Sequence, residues 1–294
     1  MRNQIIKVVL FFVLFFIAPN GLQAGKDLAV TKLNGPVQID GKVDEWSKLG
    51  STSWQNVILS NSDWRDSTNV EEEIEDIDIS VKVGSFNERV YFALRWKDSR
   101  PDVAYKPWKL RGRHYKRRRS VDDMLVLRFR LGDVFSECML INKPYVTDLW
   151  RWSAGRSNIS GFADDMIHRF SNVPFDSPSM EYQGDRGLLY FQKNMDSGSG
   201  GWKLSKRPVK GGEYVVSGVN NLSLPTGSRA DVAAKGVWSK GFWYLEMSRA
   251  FKTGDDEDVV FSQQTATEFQ IGVFHPGYKL RKFISKTLRI TMNN

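Results

Sequence analysis

Apolar and polar residues alternate along much of the chain with a period of two, the mark of strands that bury one face. Residues 77–83, IDISVKV, alternate strictly, and after the turn segment SFNER the run VYFALRW (90–96) alternates again, which predicts a β-hairpin. A shorter alternation before a Gly turn, NGPVQIDGKVDEW (34–46), predicts a strand and a reversal. Further β-branched or aromatic runs bounded by Gly, Pro, Asn and Asp are MLVLRFRL (124–131), YVTDLWRW (145–152), EYVVSGV (213–219), FWYLEMSRAF (242–251), FQIGVF (269–274) and TLRITM (287–292). Helical spacing is nowhere sustained, apart from a weak trace around Ala163 to Phe170. Many short strands separated by turn signals predict an all-β chain folded as a β-sandwich. The segment from about 156 to 212 is long, polar and Gly/Ser-rich, with DSGSGG at 196–201, and reads as an insertion projecting from the sandwich.

The first residues break this pattern. MRNQIIKVVLFFVLFFIAPNGLQA has a basic start (Arg2, Lys7), an apolar run from Val8 to Ala18 and a polar stretch ending on Ala24. That predicts a secretory signal peptide over 1–24 and a periplasmic mature domain over 25–294. The apolar run is interrupted by Pro19, Asn20 and Gly21, short of the roughly 20 residues that a membrane-spanning helix needs. The expectation is therefore an exported protein that does not span the membrane after signal cleavage.

Charge and chemistry narrow the function classes. The chain carries 42 Lys and Arg against 34 Asp and Glu, and Arg2 and Lys7 of the leader account for two of the excess. The moderately basic remainder is concentrated in KPWKLRGRHYKRRR (106–119), which reads as a solvated loop or as a docking patch for an acidic partner. Nucleic acid is not an expected partner of an exported chain. A single cysteine, Cys138, rules out an intramolecular disulfide, so stability has to come from the core. The three histidines, His114, His168 and His275, lack the sequence spacing of a zinc motif, and no G-x-S-x-G, G-x-G-x-x-G or phosphate-binding loop occurs. The reading is a non-catalytic protein. Ten tryptophans fit a sandwich core, and any exposed among them could stack on sugar rings, which keeps a carbohydrate-binding module or other ligand-binding sandwich without haem as the rival class.

Seven pieces in order resemble one family: IDGKVDEW (39–46), VYFALRWKDSRPD (90–102), VDDMLVLRF (121–129), MLINKPYVTDLWRWSAGRSN (139–158), GFADD (161–165), AAKGVWSKGFWYLEMSRAF (233–251) and KLRKFISKTLRI (279–290). The chain resembles the haem-binding gamma subunit of ethylbenzene dehydrogenase and the related cytochrome c-552/DMSO reductase-like haem-binding domains. The resemblance implies a sandwich of the DOMON and carbohydrate-binding-module-9 kind that holds one non-covalent haem b between its sheets and relays single electrons. It implies as partners a molybdopterin catalytic subunit and an iron–sulfur subunit, or another redox carrier. It implies Met139 and Lys282 as axial iron ligands, with Cys138, Lys235, Lys279 and Lys286 as alternatives, and Trp150 and Trp152 as pocket walls; Arg281, or the basic residues of 111–119, could then neutralise the propionates. A thioether is a soft neutral ligand, and a lysine binds iron only as the neutral amine, in a site that lowers its pKa. The absence of C-x-x-C-H excludes covalent c-type attachment.

Overall fold

The structure is a computed structural model that describes residues 25–51, 53–61, 75–137, 139, 141, 143–184, 187–209, 213–221, 223–275 and 281–293. The expected signal peptide, Cys138 and Lys279 lie outside the described residues. The strands, in chain order, are β1 (Lys26–Asp27), β2 (Val30–Lys32), β3 (Gln55–Asn61), β4 (Ile77–Phe86), β5 (Arg89–Lys97), β6 (Trp108–Arg111), β7 (His114–Arg117), β8 (Met124–Leu131), β9 (Tyr145–Ser153), β10 (Phe162–Ser171), β11 (Met180–Gly184), β12 (Gly187–Met195), β13 (Trp202–Leu204), β14 (Val215–Val216), β15 (Val219–Asn221), β16 (Val232–Ser239), β17 (Phe242–Ala250), β18 (Thr267–His275), β19 (Arg281–Ser285) and β20 (Leu288–Ile290). One α-helix, α1 (Glu45–Lys48), occurs among the described residues, with 3-10 turns at Ser157–Ser160 and Ser228–Ala230. None of their helices is long and apolar enough to cross a membrane.

The hairpin legible in the alternation is β4–β5, in register from Ile79 opposite Trp96 to Phe86 opposite Arg89. Its two turn residues, Asn87 and Glu88, have φ of 44° and 56°. This is the left-handed pair that matches the twist of the flanking strands. The β16–β17 hairpin turns the same way on Lys240 and Gly241, with φ of 50° and 83°.

Two layers result. Strands β3-β4-β5-β17-β16 form one, and β19-β18-β8-β9-β10 the other, the latter extended by β12 and β11. The layers are also laddered to each other, β3 to β19 and β16 to β10, so the sandwich is a flattened barrel. Its interior is aromatic. Phe92 of β5 reaches Trp150 of β9 at 5.9 Å and Phe269 of β18 at 5.8 Å between ring centroids, and Trp152 stands 5.0 Å from Trp243 of β17. Near one end of this core, fully buried Arg249 binds Asp148 at 2.9 Å, Asp165 at 3.1 Å and Asp258 at 3.3 Å, and lies 4.8 Å over Trp150.

A second apolar layer covers the outside of the first sheet. Leu33, Val37 and Trp46 pack on Tyr91 and Ala93. Glu246 of β17 holds it in place, accepting the Trp46 indole N–H at 2.7 Å and the backbone N–H groups of Gly41 at 2.9 Å and Asp40 at 3.1 Å. This is the physical content of IDGKVDEW. Gly41 sits at φ 81°, and a Cβ there would lie 2.7 Å from Val237.

Three expectations are corrected. The weakly helical stretch 163–170 is strand β10, paired with β9 on one side and β12 on the other. Its residues are buried on both faces, so the period-two signal is lost. The polar segment 156–212 is not wholly a projection, because β10 and β12 within it are members of the large sheet. The basic run is also more ordered than a loop. Residues 108–117 form the β6–β7 hairpin, burying Trp108 and Tyr115 while Arg111, Arg113, His114 and Lys116 face solvent.

Candidate cofactor-binding site

Alternation along the second sheet divides its side chains. Leu125, Leu127 and Phe129 of β8, Trp150 and Trp152 of β9, and Phe269, Ile271 and Val273 of β18 belong to the inter-sheet core. Their neighbours face outward: Met124, Val126 and Arg128 on β8, Leu149 and Arg151 on β9, and Gln270, Gly272 and Phe274 on β18. These line a cavity of about 110 Å3 together with Met139, His168, Lys193 and Ile284.

The chain between β8 and β9 folds back over this outer face. Val134, Met139 and Ile141 pack on the cluster of Tyr145, Phe170, Leu189 and Phe191. The Tyr145 hydroxyl donates to the Met139 carbonyl at 2.6 Å, and the Arg128 guanidinium lies 4.7 Å over Phe135. Met139 is thereby carried to the cavity by a covering segment, while the other lining residues come from strands.

His168 is the most unusual lining residue. It is 6% exposed, and neither ring nitrogen has a hydrogen-bond partner among the described residues. Burial, reinforced by Lys193, Arg128 and Arg151, holds its pKa well below the usual value, so the ring is a neutral imidazole. Phe191 contacts it edge-on at 4.8 Å. A buried imidazole with no partner is costly unless something binds it.

Lys193 stands directly opposite His168 in the β10–β12 ladder. Its side chain lines the cavity although the residue as a whole is exposed. Desolvation by the surrounding protein, with Arg151 and Arg156 nearby, lowers its pKa to about 8, an effect that solvent contact tempers. Arg151 is held by Asp164 at 2.8 Å. The cavity therefore combines two thioethers, Met124 and Met139, with a neutral imidazole, an amine of lowered pKa and two guanidiniums.

The residues singled out from the sequence are distributed unevenly around this cavity. Met139 lines it. Lys282 is half-buried at its rim, opposite Phe274 in the β18–β19 ladder and on the same strand face as the lining residue Ile284. Trp150 and Trp152 lie on the other face of β9, in the inter-sheet core, and are not cavity walls. The space between the sheets is filled by these aromatic rings, so the cavity sits outside the sandwich core. Arg281 is exposed and points to the opposite side of β19 from Ile284, into a cleft with His275 and Asp98. Lys235 donates to the Asn158 carbonyl at 3.1 Å, away from the cavity. His168, Lys193 and Met124 were not singled out, although Asp164, Met166, His168 and Phe170 would have marked one strand face had FADDMIHRF been read with a period of two.

Three comparisons bear on this site. The sequence matches no curated protein significantly. Among solved structures, the chain is similar to a carbohydrate binding module family 9 from Caldicellulosiruptor kristjanssonii in complex with glucose, at 10% identity and a TM-score of 0.39 over 92% of this chain and 97% of that one. It is similar also to a Bacteroides uniformis protein assigned as carbohydrate-binding, at 10% identity and a TM-score of 0.42 over 91% of this chain and 100% of the other. Likenesses this slight carry no function across. The family model described as ethylbenzene dehydrogenase matches residues 51–281, most of the chain and every strand of the cavity except β19, which it enters only at Arg281, and the chain belongs to the ethylbenzene dehydrogenase family.

Proposed function

We propose that this chain binds one haem b non-covalently at the cavity under Met139 and acts as an exported, periplasmic, non-catalytic electron-transfer subunit beside a molybdopterin subunit and an iron–sulfur subunit. Family membership supports the class of function. The observation that carries the site is His168, a buried neutral imidazole without a partner in a cavity that also holds Met139 and Lys193.

The donor set fits an iron porphyrin. Met139 would offer a thioether from the covering segment, and His168 or Lys193 a nitrogen from the sheet. Lys193 is the lining amine with the lowered pKa that iron ligation requires, whereas Lys282, the lysine implied by the family resemblance, stands at the rim. Arg128 and Arg151 would face the anionic propionates, and Val126, Leu149 and Phe274 would exclude water. The closed cavity, about 110 Å3, is below the roughly 300–1,000 Å3 usual for an organic ligand, so the residues around Met139 have to lift for a macrocycle to enter. When bound, the group supplies one-electron chemistry at a potential set by its axial ligands and burial.

The rival sugar-binding reading finds no exposed tryptophan among the described residues. Trp64 lies outside them, and the other nine tryptophans are all buried or half-buried.

Reduced-minus-oxidised spectra of the full chain produced with haem available test the assignment. Met139→Ala is expected to shift the ferrous α band and lower the potential, as loss of a thioether ligand does. His168→Ala, Lys193→Ala and Lys282→Ala, run in parallel, identify the opposite ligand. Spectra unchanged in all four variants would remove this cavity as the site.

A further inference from the structure

Away from the cavity, three strand ends bring together polar groups of KDSRPD, VDD and FQIGVFH. Asp98 follows β5, Asp123 precedes β8, and His275 ends β18. The two carboxylates are almost completely buried, with side chains 1% and 3% exposed, while the imidazole is 37% exposed on a cleft.

Each carboxylate is fixed by one of its oxygens. Asp98 Oδ1 accepts the Arg100 backbone N–H at 3.0 Å, and Asp123 Oδ2 accepts the Asp102 backbone N–H at 2.7 Å and the Trp243 indole N–H at 3.1 Å. The second oxygens, Asp98 Oδ2 and Asp123 Oδ1, are buried and have no hydrogen-bond partner. Both stand 3.5 Å from His275 Nδ1, at the limit of a hydrogen bond, and a single N–H cannot serve both well. The two carboxylates hold the His275 ring as a shared imidazolium, one N–H between two buried oxygens, and a divalent cation would displace that proton and serve both oxygens at once.

The spacing indicates the cation. Three ligand atoms at the corners of a tetrahedron, each about 2.0–2.1 Å from a central zinc, are about 3.3–3.4 Å apart. The observed 3.5 Å from nitrogen to each oxygen needs only a small contraction, and all three atoms lie within 4.8 Å of one another. Calcium, which takes six to eight oxygens, is poorly served by two carboxylates and an imidazole. The donors to the outer carboxylate oxygens act as the supports that orient metal ligands. His275 is partly exposed on the cleft, which leaves an access path to the three ligand atoms.

We propose that Asp98, Asp123 and His275 form a zinc-sized divalent metal site, with two carboxylate oxygens and one imidazole nitrogen as ligands and the fourth position open to a small oxygen ligand such as water. It is independent of the haem reading, because none of the three residues touches the cavity under Met139.

The test uses the untagged full chain, stripped with a chelator and titrated with Zn2+ against a chromophoric competitor, and separately with Co2+ to read coordination geometry from its visible bands. One equivalent of Zn2+ per chain and an intense tetrahedral-type Co2+ spectrum are expected. His275→Gln and Asp98→Asn should each weaken binding by tenfold or more, while Met139→Ala leaves it unchanged. Circular dichroism establishes that each variant is folded, and Asp98→Asn preserves side-chain shape should His275→Gln fail to fold. The absence of stoichiometric Zn2+ binding, or binding indifferent to both substitutions, would overturn the proposal.

Discussion

Glu246 offers the most quantitative prediction. Its side chain is fully buried, and burial pushes its pKa from 4.5 up to about 7, despite the hydrogen bonds from Trp46, Gly41 and Asp40. The folded state thus holds this proton more tightly than the unfolded chain does. The stability that Glu246 lends is fully present below its unfolded pKa of about 4.5 and is lost as pH rises through about 7. A difference of 2.5 pKa units corresponds to about 3 kcal/mol. Replacement by Gln abolishes this titration. The amide retains one acceptor for the backbone donors of the 39–46 segment but turns an N–H2 toward the third, so Glu246→Gln should cost about 1–3 kcal/mol at pH 5. Urea unfolding at pH 5 and pH 8 reads both effects. Asp196 and Asp258, whose pKa values burial raises to about 7 and about 6, titrate in both proteins and cancel in the comparison. Because pH 5 already lies above the unfolded value, wild type should lose about 2.5 kcal/mol more than the variant between the two pH values. Parallel losses would refute the assignment of Glu246 as a buried, reluctantly ionised staple.

Two further substitutions probe the core. Arg249→Met leaves Asp148, Asp165 and Asp258 without their shared cation and should destabilise by about 3–5 kcal/mol in urea, more at pH 8 than at pH 5, where protonation of Asp165 and Asp258 relieves the cluster. Gly236→Ala would place a methyl 2.3 Å from the Trp152 ring and should cost about 1–3 kcal/mol, whereas Gly254→Ala, with nothing within 4 Å, should stay within about 0.5 kcal/mol in the same thermal melts.

The parts of the fold written in local sequence were legible, and the parts made by distant pairing were not. The β4–β5 hairpin could be read because each strand shows one face to the core, with Ile79, Val81 and Val83 inward, and because Asn87 accepts a left-handed backbone easily. Strand β10 was obscured for the opposite reason. Covered on both faces and joined to β9, β12 and β16, it has no polar face to alternate with. His168 was hidden with it, and so was Lys193, whose partner across the ladder is 25 positions away. Met139 was reached through the family resemblance and does stand at the cavity. The resemblance implied Trp150 and Trp152 as walls of a pocket between the sheets; both do lie between the sheets, but in a filled aromatic core, and a strand sends successive side chains to opposite faces. Leu149 and Arg151 are the residues of β9 that look outward.

The central claim is that the outer-face cavity holds one haem, and an equilibrium titration tests it most directly. Hemin added to the untagged full chain should produce a Soret band that saturates at one equivalent per chain. His168→Ala combined with Met139→Ala should abolish that saturation while leaving circular dichroism intact. A chain that stays colourless in excess hemin, or a double variant that saturates like wild type, would contradict the account.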